Sequence, residues 1–106
     1  MKRAEIYWVD LGETVGSEQR RCRPCLIIQA NLGNATSPTV TIVPITSATK
    51  SFTITHAPVD GLIKPSIALC EQIRTVDKKR VKGYIATVSD YTMINISETI
   101  RLTLGL

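Results

Sequence analysis

The chain is a succession of short β-type runs, and its apolar pattern takes on a helical period only once, near residue 90. A short strand cannot bury an apolar face alone, because its backbone and side chains need neighbouring strands. Such a chain must pair its runs into a sheet around one shared core. Runs rich in Val, Ile, Leu and Thr predict strands at residues 5–11, 23–29, 39–46, 52–56, 66–73 and 84–88.

Three signals mark the connections in the first half of the chain. Residues 12–21 are polar, lack periodicity and predict a loop, and a second polar group predicts a turn at Asn31, Gly33 and Asn34. Pro44 lies inside the third predicted strand. Because proline has no N–H to donate to a sheet, it predicts an edge or a bulge at that end.

The last segment predicts an amphipathic helix. Its apolar positions recur at steps of three and four, and comprise Met93, Ile96, Ile100, Thr103 and Leu104. Ser89 or Asp90 can cap the first turn, and Gly105 is placed to end the helix. The pattern predicts a mainly β, α+β fold: a small, partly open β-barrel with a C-terminal helix packed on it.

Length and composition indicate a single packed domain spanning residues 1–106. Hydrophobic residues make up 43% and charged residues 21%, which is typical of a folded globular domain. The longest apolar runs fall far short of the roughly 20 residues that cross a bilayer. No secretion signal is recognisable either, so we expect a cytoplasmic protein that does not enter a membrane.

Positive charge is concentrated in two places. Thirteen Lys and Arg against nine Asp and Glu give a net charge of +4. The two clusters are Arg20, Arg21 and Arg23, and Arg74, Lys78, Lys79, Arg80 and Lys82. Dense basic clusters suit a phosphate backbone or an acidic protein, although they are also common as solvated surface.

Three cysteines without a secretion signal argue against a disulfide framework. Cys22 and Cys25 have C-x-x-C spacing, but the residues that follow predict a strand, whereas a redox motif needs a helix there. A zinc site would have to combine Cys70 and His56 with these two. Small buried thiols are the favoured interpretation.

Common catalytic and nucleotide-binding motifs are missing from the chain. It has one histidine, His56, and no H-E-x-x-H, G-x-x-x-x-G-K-[ST] or helix-opening G-x-G-x-x-G. A Cys-His pair would need His56 and a distant thiol, so a structural or surface role for His56 is favoured. The polar groups concentrate instead in residues 16–23.

An ordered set of motifs along nearly the whole chain resembles the MazF/PemK family of toxins. The motifs are Glu5-Ile6-Tyr7-Trp8-Val9-Asp10-Leu11, Gly16-Ser17-Glu18-Gln19, Arg23-Pro24-x-Leu26-Ile27-Ile28-Gln29, Gly33-Asn34, Ser37-Pro38-Thr39-Val40, Ile45-Thr46-Ser47, Glu71-Gln72-Ile73-Arg74-Thr75-Val76-Asp77-Lys78 and Leu104-Gly105-Leu106. One of them alone would carry little information, whereas the whole set in this order is specific.

The resemblance implies an SH3-like or CcdB-like small β-barrel that forms a homodimer. It implies an endoribonuclease that cuts single-stranded mRNA at specific short sequences without a metal or another cofactor. The partner that it implies is a cognate antitoxin with an acidic C-terminal segment, and operator DNA is bound only through the antitoxin complex.

The resemblance also places the catalytic pair at Arg23 and Thr46, which would converge at one mouth of the barrel. Cleavage without a metal uses the neighbouring 2′-OH, and the phosphorane that forms carries extra negative charge. A planar guanidinium and a hydroxyl can stabilise that charge. Arginine rarely gives up its proton, so Glu18 is the candidate general base. The alternatives are a surface role for Thr46 and a Glu18 carboxylate that merely holds a neighbouring group.

The remaining candidates would bind RNA. Ser17 and Gln19 suit the edges of unstacked bases, and the expected backbone contacts are Arg20, Arg21, Arg74, Lys78 and Lys79. Two other functions stay open at this point. One is a non-catalytic CcdB-like toxin that inhibits DNA gyrase, and the other is a regulatory relative that binds only antitoxin and operator DNA.

Overall fold

The computed structural model describes residues 1–12, 22–47 and 53–106. In these ranges the strands are β1 (Glu5–Asp10), β2 (Cys22–Ile27), β3 (Thr39–Thr46), β4 (His56–Val59), β5 (Ser66–Leu69), β6 (Arg74–Asp77) and β7 (Val81–Thr87). The helices are α1 (Asn31–Thr36) and α2 (Asp90–Leu104). Short 3-10 turns follow β5 at Cys70–Gln72 and β6 at Lys78–Arg80.

All pairings of the described strands are antiparallel, and β3 lies at their centre. The sheet runs β4-β5-β3-β2-β1-β7, and β6 also pairs with β3. On one side β3 pairs with β2, from Ile42 to Pro44. On its other side it pairs first with β6, up to Ile42, and then with β5, from Ile45. The sheet therefore folds over into a partly open barrel with one helix against it, as the sequence predicts.

Pro44 lies where β3 changes partner. It stands opposite Cys25 of β2, but on the other side it falls between the β6 segment and the β5 segment. Proline has no N–H to contribute to a ladder. Between the two segments, where β3 has no described partner on that side, the missing donor removes no hydrogen bond from the sheet.

The alternation of side chains produces two apolar clusters on opposite faces of the sheet. One includes Ile6, Leu26, Val43 and Ile45, and lies under α2, β4 and β5. The other is the barrel interior: Val9, Cys25, Ile27, Val40, Ile42 and Val76. Both are fully or almost fully removed from solvent. The central strands are covered on both faces, which explains their nearly continuous apolar sequences.

Helix α2 begins and ends at the residues that the sequence predicts. The Ser89 hydroxyl accepts a hydrogen bond from the backbone N–H of Thr92 at 3.1 Å. At the other end Gly105 has φ 73°, and its N–H reaches the carbonyls of Arg101 and Leu102. Met93 and Ile96 are buried on the inner face, so docking stabilises a helix of modest intrinsic propensity.

The predicted turn after β2 is instead the short helix α1. Asn34 is buried, and its amide donates to the backbone carbonyl of Gln29 at 3.0 Å. The Gln29 amide in return donates to the Asn34 side chain at 3.2 Å and to the carbonyl of Thr39 at 3.1 Å. A six-residue helix is marginal by itself. This polar network holds α1 on the sheet, and local helix propensity does not reveal it.

Several boundaries in the second half also differ from the prediction. The strand expected at residues 52–56 begins at His56 and runs to Val59, while Phe52 lies outside the described residues. The strand expected at 66–73 ends at Leu69 and gives way to the 3-10 turn. β7 starts earlier than predicted, and β6 was not predicted. β6 has one buried residue, Val76, so its sequence lacks a two-sided apolar signal.

None of the helices in the described ranges is both long enough and apolar enough to cross a lipid bilayer.

Removing the α2 cap should lower stability without changing the fold. Ser89→Ala leaves N–H groups of the first helical turn without a partner, so we expect a loss of about 1 kcal/mol. Ser89→Asn, which can cap, is the matched control and should lose much less. Urea denaturation of the three proteins at one protein concentration measures the difference. Equal midpoints for Ser89→Ala and the parent chain would contradict this account of the helix start.

Candidate active site

The register between β2 and β3, continued to the strand ends, sets positions 23 and 46 opposite each other. The two strands pair antiparallel with Cys25 opposite Pro44. Continuing that register by two residues toward the strand ends brings Arg23 and Thr46 into opposition. Residues directly opposite each other project from the same face of a sheet. An arginine and a threonine that are 23 positions apart in the sequence thus become neighbours.

A pocket of about 540 Å³ opens at these strand ends. Arg23 and Thr46 both border it. Its other lining residues are Trp8, Cys22, Pro24, Ile45, Ser47, Leu62 and Ser66. The volume is that of an ordinary small-molecule site. The expectation that Arg23 and Thr46 converge at one mouth of the barrel is consistent with this arrangement.

Arg23 and Arg74 both act on the thiol of Cys25. Burial raises the pKa of Cys25 to about 12, while the positive charges of the two arginines work in the opposite direction. Cys25 belongs to the barrel-interior cluster. The two guanidinium groups therefore act on Cys25 from two different strands, β2 and β6.

The other predicted cationic residues lie farther from the pocket. Arg74 stands opposite Ile42, four residues along β3 from Thr46, or roughly 13 Å at ~3.3 Å per residue. Lys79 is exposed beyond the end of β6. Lys78 is half-buried, and its ammonium donates to the backbone carbonyl of Asn34. Lys78 thus anchors α1, a structural task that its sequence position does not reveal.

Five predicted site residues fall outside the described ranges. They are the proposed general base, Glu18, and the candidate RNA contacts Ser17, Gln19, Arg20 and Arg21. Their range joins the described chain at Gly12 and Cys22. Cys22 itself lines the pocket.

The C-x-x-C spacing does not bring two thiols together. Cys22 and Cys25 are three residues apart on β2, so their side chains leave opposite faces of the strand. Cys25 and Cys70 are buried, as the favoured interpretation had it, but Cys22 is exposed, and all three are free. Burial raises the pKa of Cys70 to about 11. Across the described ranges, no three His, Cys, Asp or Glu side chains are grouped as metal ligands would be.

His56 makes a structural contact. Its Nε2 lies 3.4 Å from a carboxylate oxygen of Glu71, whose other oxygen accepts a hydrogen bond from Thr55 at 3.0 Å. Burial acts to raise the pKa of Glu71, yet hydrogen bonds from its own backbone, Thr55 and His56 lower it overall. The contact ties the start of β4 to the 3-10 turn after β5. His56 does not line the pocket.

Sequence reasoning missed several residues that line the pocket, chiefly Trp8, Leu62 and Ser66. Trp8 was assigned to the first strand as one of its apolar residues, yet 46% of its surface is exposed. A strand pattern shows which residues alternate, but it does not show where a neighbouring strand stops and leaves a side chain uncovered. Leu62 and Ser66 reach the pocket through the tertiary path of the chain, for which no local signal exists.

Comparison with solved structures identifies the class of fold. An endoribonuclease from a mycobacterial species, solved in complex with its cognate antitoxin, superposes with a TM-score of 0.84 at 24% identity, covering 100% of this chain and 96% of that one. The chain therefore has the same fold as that endoribonuclease.

Sequence relatives and a family model then specify the family. Endoribonuclease EndoA of Bacillus subtilis is 38% identical over 100% of this chain and 96% of its own length. Endoribonuclease MazF of Staphylococcus epidermidis is 40% identical over 100% of this chain and 92% of its own. The model of the PemK-like, MazF-like toxins of type II toxin-antitoxin systems matches residues 2–104. The chain belongs to this family.

The burial of the thiols predicts selective labelling. Cys25 and Cys70 have raised pKa values of about 12 and about 11, so at pH 8 both are neutral thiols and poor nucleophiles. A maleimide reagent at pH 8 should modify Cys22 alone in the folded protein and all three cysteines in urea. Mass spectrometry of the digested protein locates the labels. Rapid labelling of Cys25 before unfolding would show that the barrel interior is open at this end.

Proposed function

We propose that the chain is the toxin component of a type II toxin-antitoxin system, a metal-independent, sequence-specific endoribonuclease that cuts single-stranded mRNA in the cytoplasm. The observation that carries the proposal is that Arg23 and Thr46 both border one pocket, at the ends of two paired strands whose register, continued by two residues, would set them opposite each other. Relatives with 38% and 40% identity over the whole chain carry endoribonuclease names, which supports the same activity here.

The reaction needs charge stabilisation more than covalent chemistry from the protein. The ribose 2′-oxygen attacks the adjacent phosphorus as its proton leaves, and the bond from phosphorus to the 5′-oxygen breaks with that oxygen taking up a proton. The products are a 2′,3′-cyclic phosphate and a 5′-OH. The guanidinium of Arg23 offers paired N–H donors to two phosphate oxygens, and the Thr46 hydroxyl offers one more. Such donors stabilise the phosphorane most strongly where its charge develops.

Glu18 is our proposed general base. Among the described residues that line the pocket there is no carboxylate and no imidazole. The hydroxyls, the thiol and the guanidinium there are poorly suited to accept a proton at neutral pH. Glu18 lies in the range that joins the chain to Cys22 at the pocket, which supports a carboxylate from that range as the acceptor.

The RNA strand would continue past the pocket toward the basic residues beside β3. Arg74 and Lys79 are exposed and are proposed to contact the phosphates. We propose that Arg20 and Arg21 also contact the RNA backbone, while Ser17 and Gln19 read base edges. Lys78 can contribute charge, but its ammonium is already bound to a backbone carbonyl.

A second copy of the chain and an acidic antitoxin are the proposed protein partners. Large apolar side chains are exposed on the outer face of α2: Tyr91, Ile94 and Leu102. Exposed apolar groups on one face favour an interface, which supports a homodimer. The net charge of +4 suits an antitoxin with an acidic C-terminal segment. Operator DNA would be bound only through the antitoxin complex.

Loss of the proposed phosphate donors should abolish cleavage while leaving the fold intact. Because donors of this kind contribute about 10²–10³-fold each, we expect Thr46→Val to lower the cleavage rate by about that factor, and Arg23→Ala by at least as much. Lys2→Ala, which removes an exposed positive charge outside the pocket, is the matched control and should cut normally. The assay incubates a long single-stranded RNA with each protein in EDTA.

Mapping the ends of that RNA separates the candidate functions. Discrete cuts with cyclic phosphate ends are expected from the parent chain. Normal cutting by Arg23→Ala would overturn the site. Intact RNA with the parent chain would instead favour a non-catalytic toxin that inhibits gyrase or a regulatory relative.

A phosphate contact by Lys79 should appear in the salt dependence of binding. Lys79→Ala should weaken binding of every single-stranded RNA to a similar extent. It should also reduce the slope of log K against log salt by about 0.7, the value for one phosphate contact on a single strand. Lys78→Ala should in addition lower stability, since it removes the tie to α1. Fluorescence-polarisation titrations at several salt concentrations measure the slope, and an unchanged slope for Lys79→Ala would place the RNA elsewhere.

A further inference from the structure

Trp8, the single tryptophan of the chain, is unusually accessible for its position. It lies in β1, which pairs with β2 on one side and with β7 on the other. Residues in such a strand are normally covered, yet 46% of Trp8 is exposed. A large aromatic side chain that stays half in water at the wall of a pocket needs an explanation beyond core packing.

A bulge in the sheet is responsible for this exposure. Tyr7 stands opposite Tyr84 and Val9 opposite Val81, so β7 has two residues where β1 has only Trp8. One of the two is Gly83, which has no side chain to cover the indole: a Cβ built there would come within 3.8 Å of Trp8 Cδ1. Bulges commonly redirect a side chain beside a functional site.

The surroundings of Trp8 combine a flat apolar wall with polar edges. Trp8 stands opposite Pro24 on the same face of the sheet, and Ile45 and Leu62 extend the apolar surface. Polar atoms at the pocket come from Cys22, Ser47 and Ser66. A slot with an indole on one side and a few hydroxyls suits a planar heterocycle with polar edges.

The slot adjoins the proposed phosphate position from the opposite face of the sheet. Arg23 alternates with Pro24 on β2, and Thr46 alternates with Ile45 on β3. The two donors therefore share one face, and Trp8 lies on the other. All of them border the same pocket because the strands end there. A phosphodiester held across the strand ends can thus direct an adjoining base onto the Trp8 face.

We propose that this pocket is a binding site for the nucleobase next to the scissile phosphate, with Trp8 as its stacking surface. The inference rests on the proposed function, since it uses Arg23 and Thr46 to position the phosphate. Stacking is tolerant of base identity, so the pocket contributes affinity and alignment, while the polar edges add selectivity. Stacking on Trp8 would then orient one of the two nucleotides joined by the scissile phosphate: the one whose 2′-OH attacks, or the one that leaves with a 5′-OH.

The test uses the fluorescence of Trp8. The probe is an RNA in which the parent chain's cut has been mapped, made with a 2′-deoxyribose at the attacking nucleotide so that it binds without being cut. Titration should quench the emission. A Trp8→Phe/Ile54→Trp double variant carries its tryptophan at an exposed position that does not line the pocket, and should show little change. Unquenched emission from the parent chain at saturation would overturn the inference.

Cleavage kinetics with an abasic probe supply the second arm. Trp8→Leu, which keeps apolar bulk but has no aromatic face, should lower kcat/KM by about 10–100-fold, and Trp8→Phe by much less. The abasic probes lack the base on one side of the cut or the other. Removing the base that stacks on Trp8 should lower kcat/KM of the parent chain by a similar factor, and should lower kcat/KM of Trp8→Leu hardly any further. If the two losses multiply instead, Trp8 and that base do not touch. In that case the nuclease assignment stands and only the stacking site fails, whereas an uncut RNA with the parent chain would count against the proposed function itself.

Discussion

The change of partner along β3 is the constraint on which the rest of the molecule depends. One strand is bound to β2 on one side and to β6 and then β5 on the other. Because one side of β3 serves two strands in turn, the sheet folds over, and its two apolar clusters lie on opposite faces. Pro44, which cannot donate to a ladder, lies at the change itself. The strand ends beyond this point carry Arg23 and Thr46 out of the core.

The site is therefore built from backbone pairing more than from side-chain contacts. Register alone sets the Arg23 and Thr46 positions opposite each other, while a fully buried core beneath them holds the strands. Arg23 is only partly buried, so its planar guanidinium remains accessible to a phosphate. Placing the site at the ends of strands also explains why both faces of the sheet border one pocket.

Several polar residues stabilise the fold without taking part in the candidate site. Lys78, Gln29 and Asn34 form a polar network that holds α1 on the sheet, and His56 with Glu71 ties β4 to the following turn. None of these residues lines the pocket. The basic cluster that appears uniform in the sequence thus separates in three dimensions into an anchor, Lys78, and exposed cations such as Lys79 and Arg74. Their exposure decides which of them an RNA strand can reach.

The sequence by itself determined the features that depend on near neighbours, and it determined the family through the order of the motifs along the chain. The period of Met93, Ile96 and Ile100, with Ser89 before them and Gly105 after them, was sufficient to define α2, because capping and amphipathicity depend on near neighbours. The strand at Thr39–Thr46 was also correct, since its apolar run is long and ends at turn residues. The ordered motifs were sufficient to identify the family, which the comparisons confirm.

Only the tertiary structure decided where separate strands meet. β6 and α1 have weak local signals, and long-range partners stabilise them: Thr39–Ile42 of β3 for one and Lys78 with Gln29 for the other. The opposition of Arg23 and Thr46 depends on register, and a slip of one residue would turn the side chains of that strand to the other face. The exposure of Trp8 depends on a bulge in β7, a strand more than 70 residues later in the chain. Pairings between distant segments arise from the packing of the whole sheet, so no local pattern could have specified them.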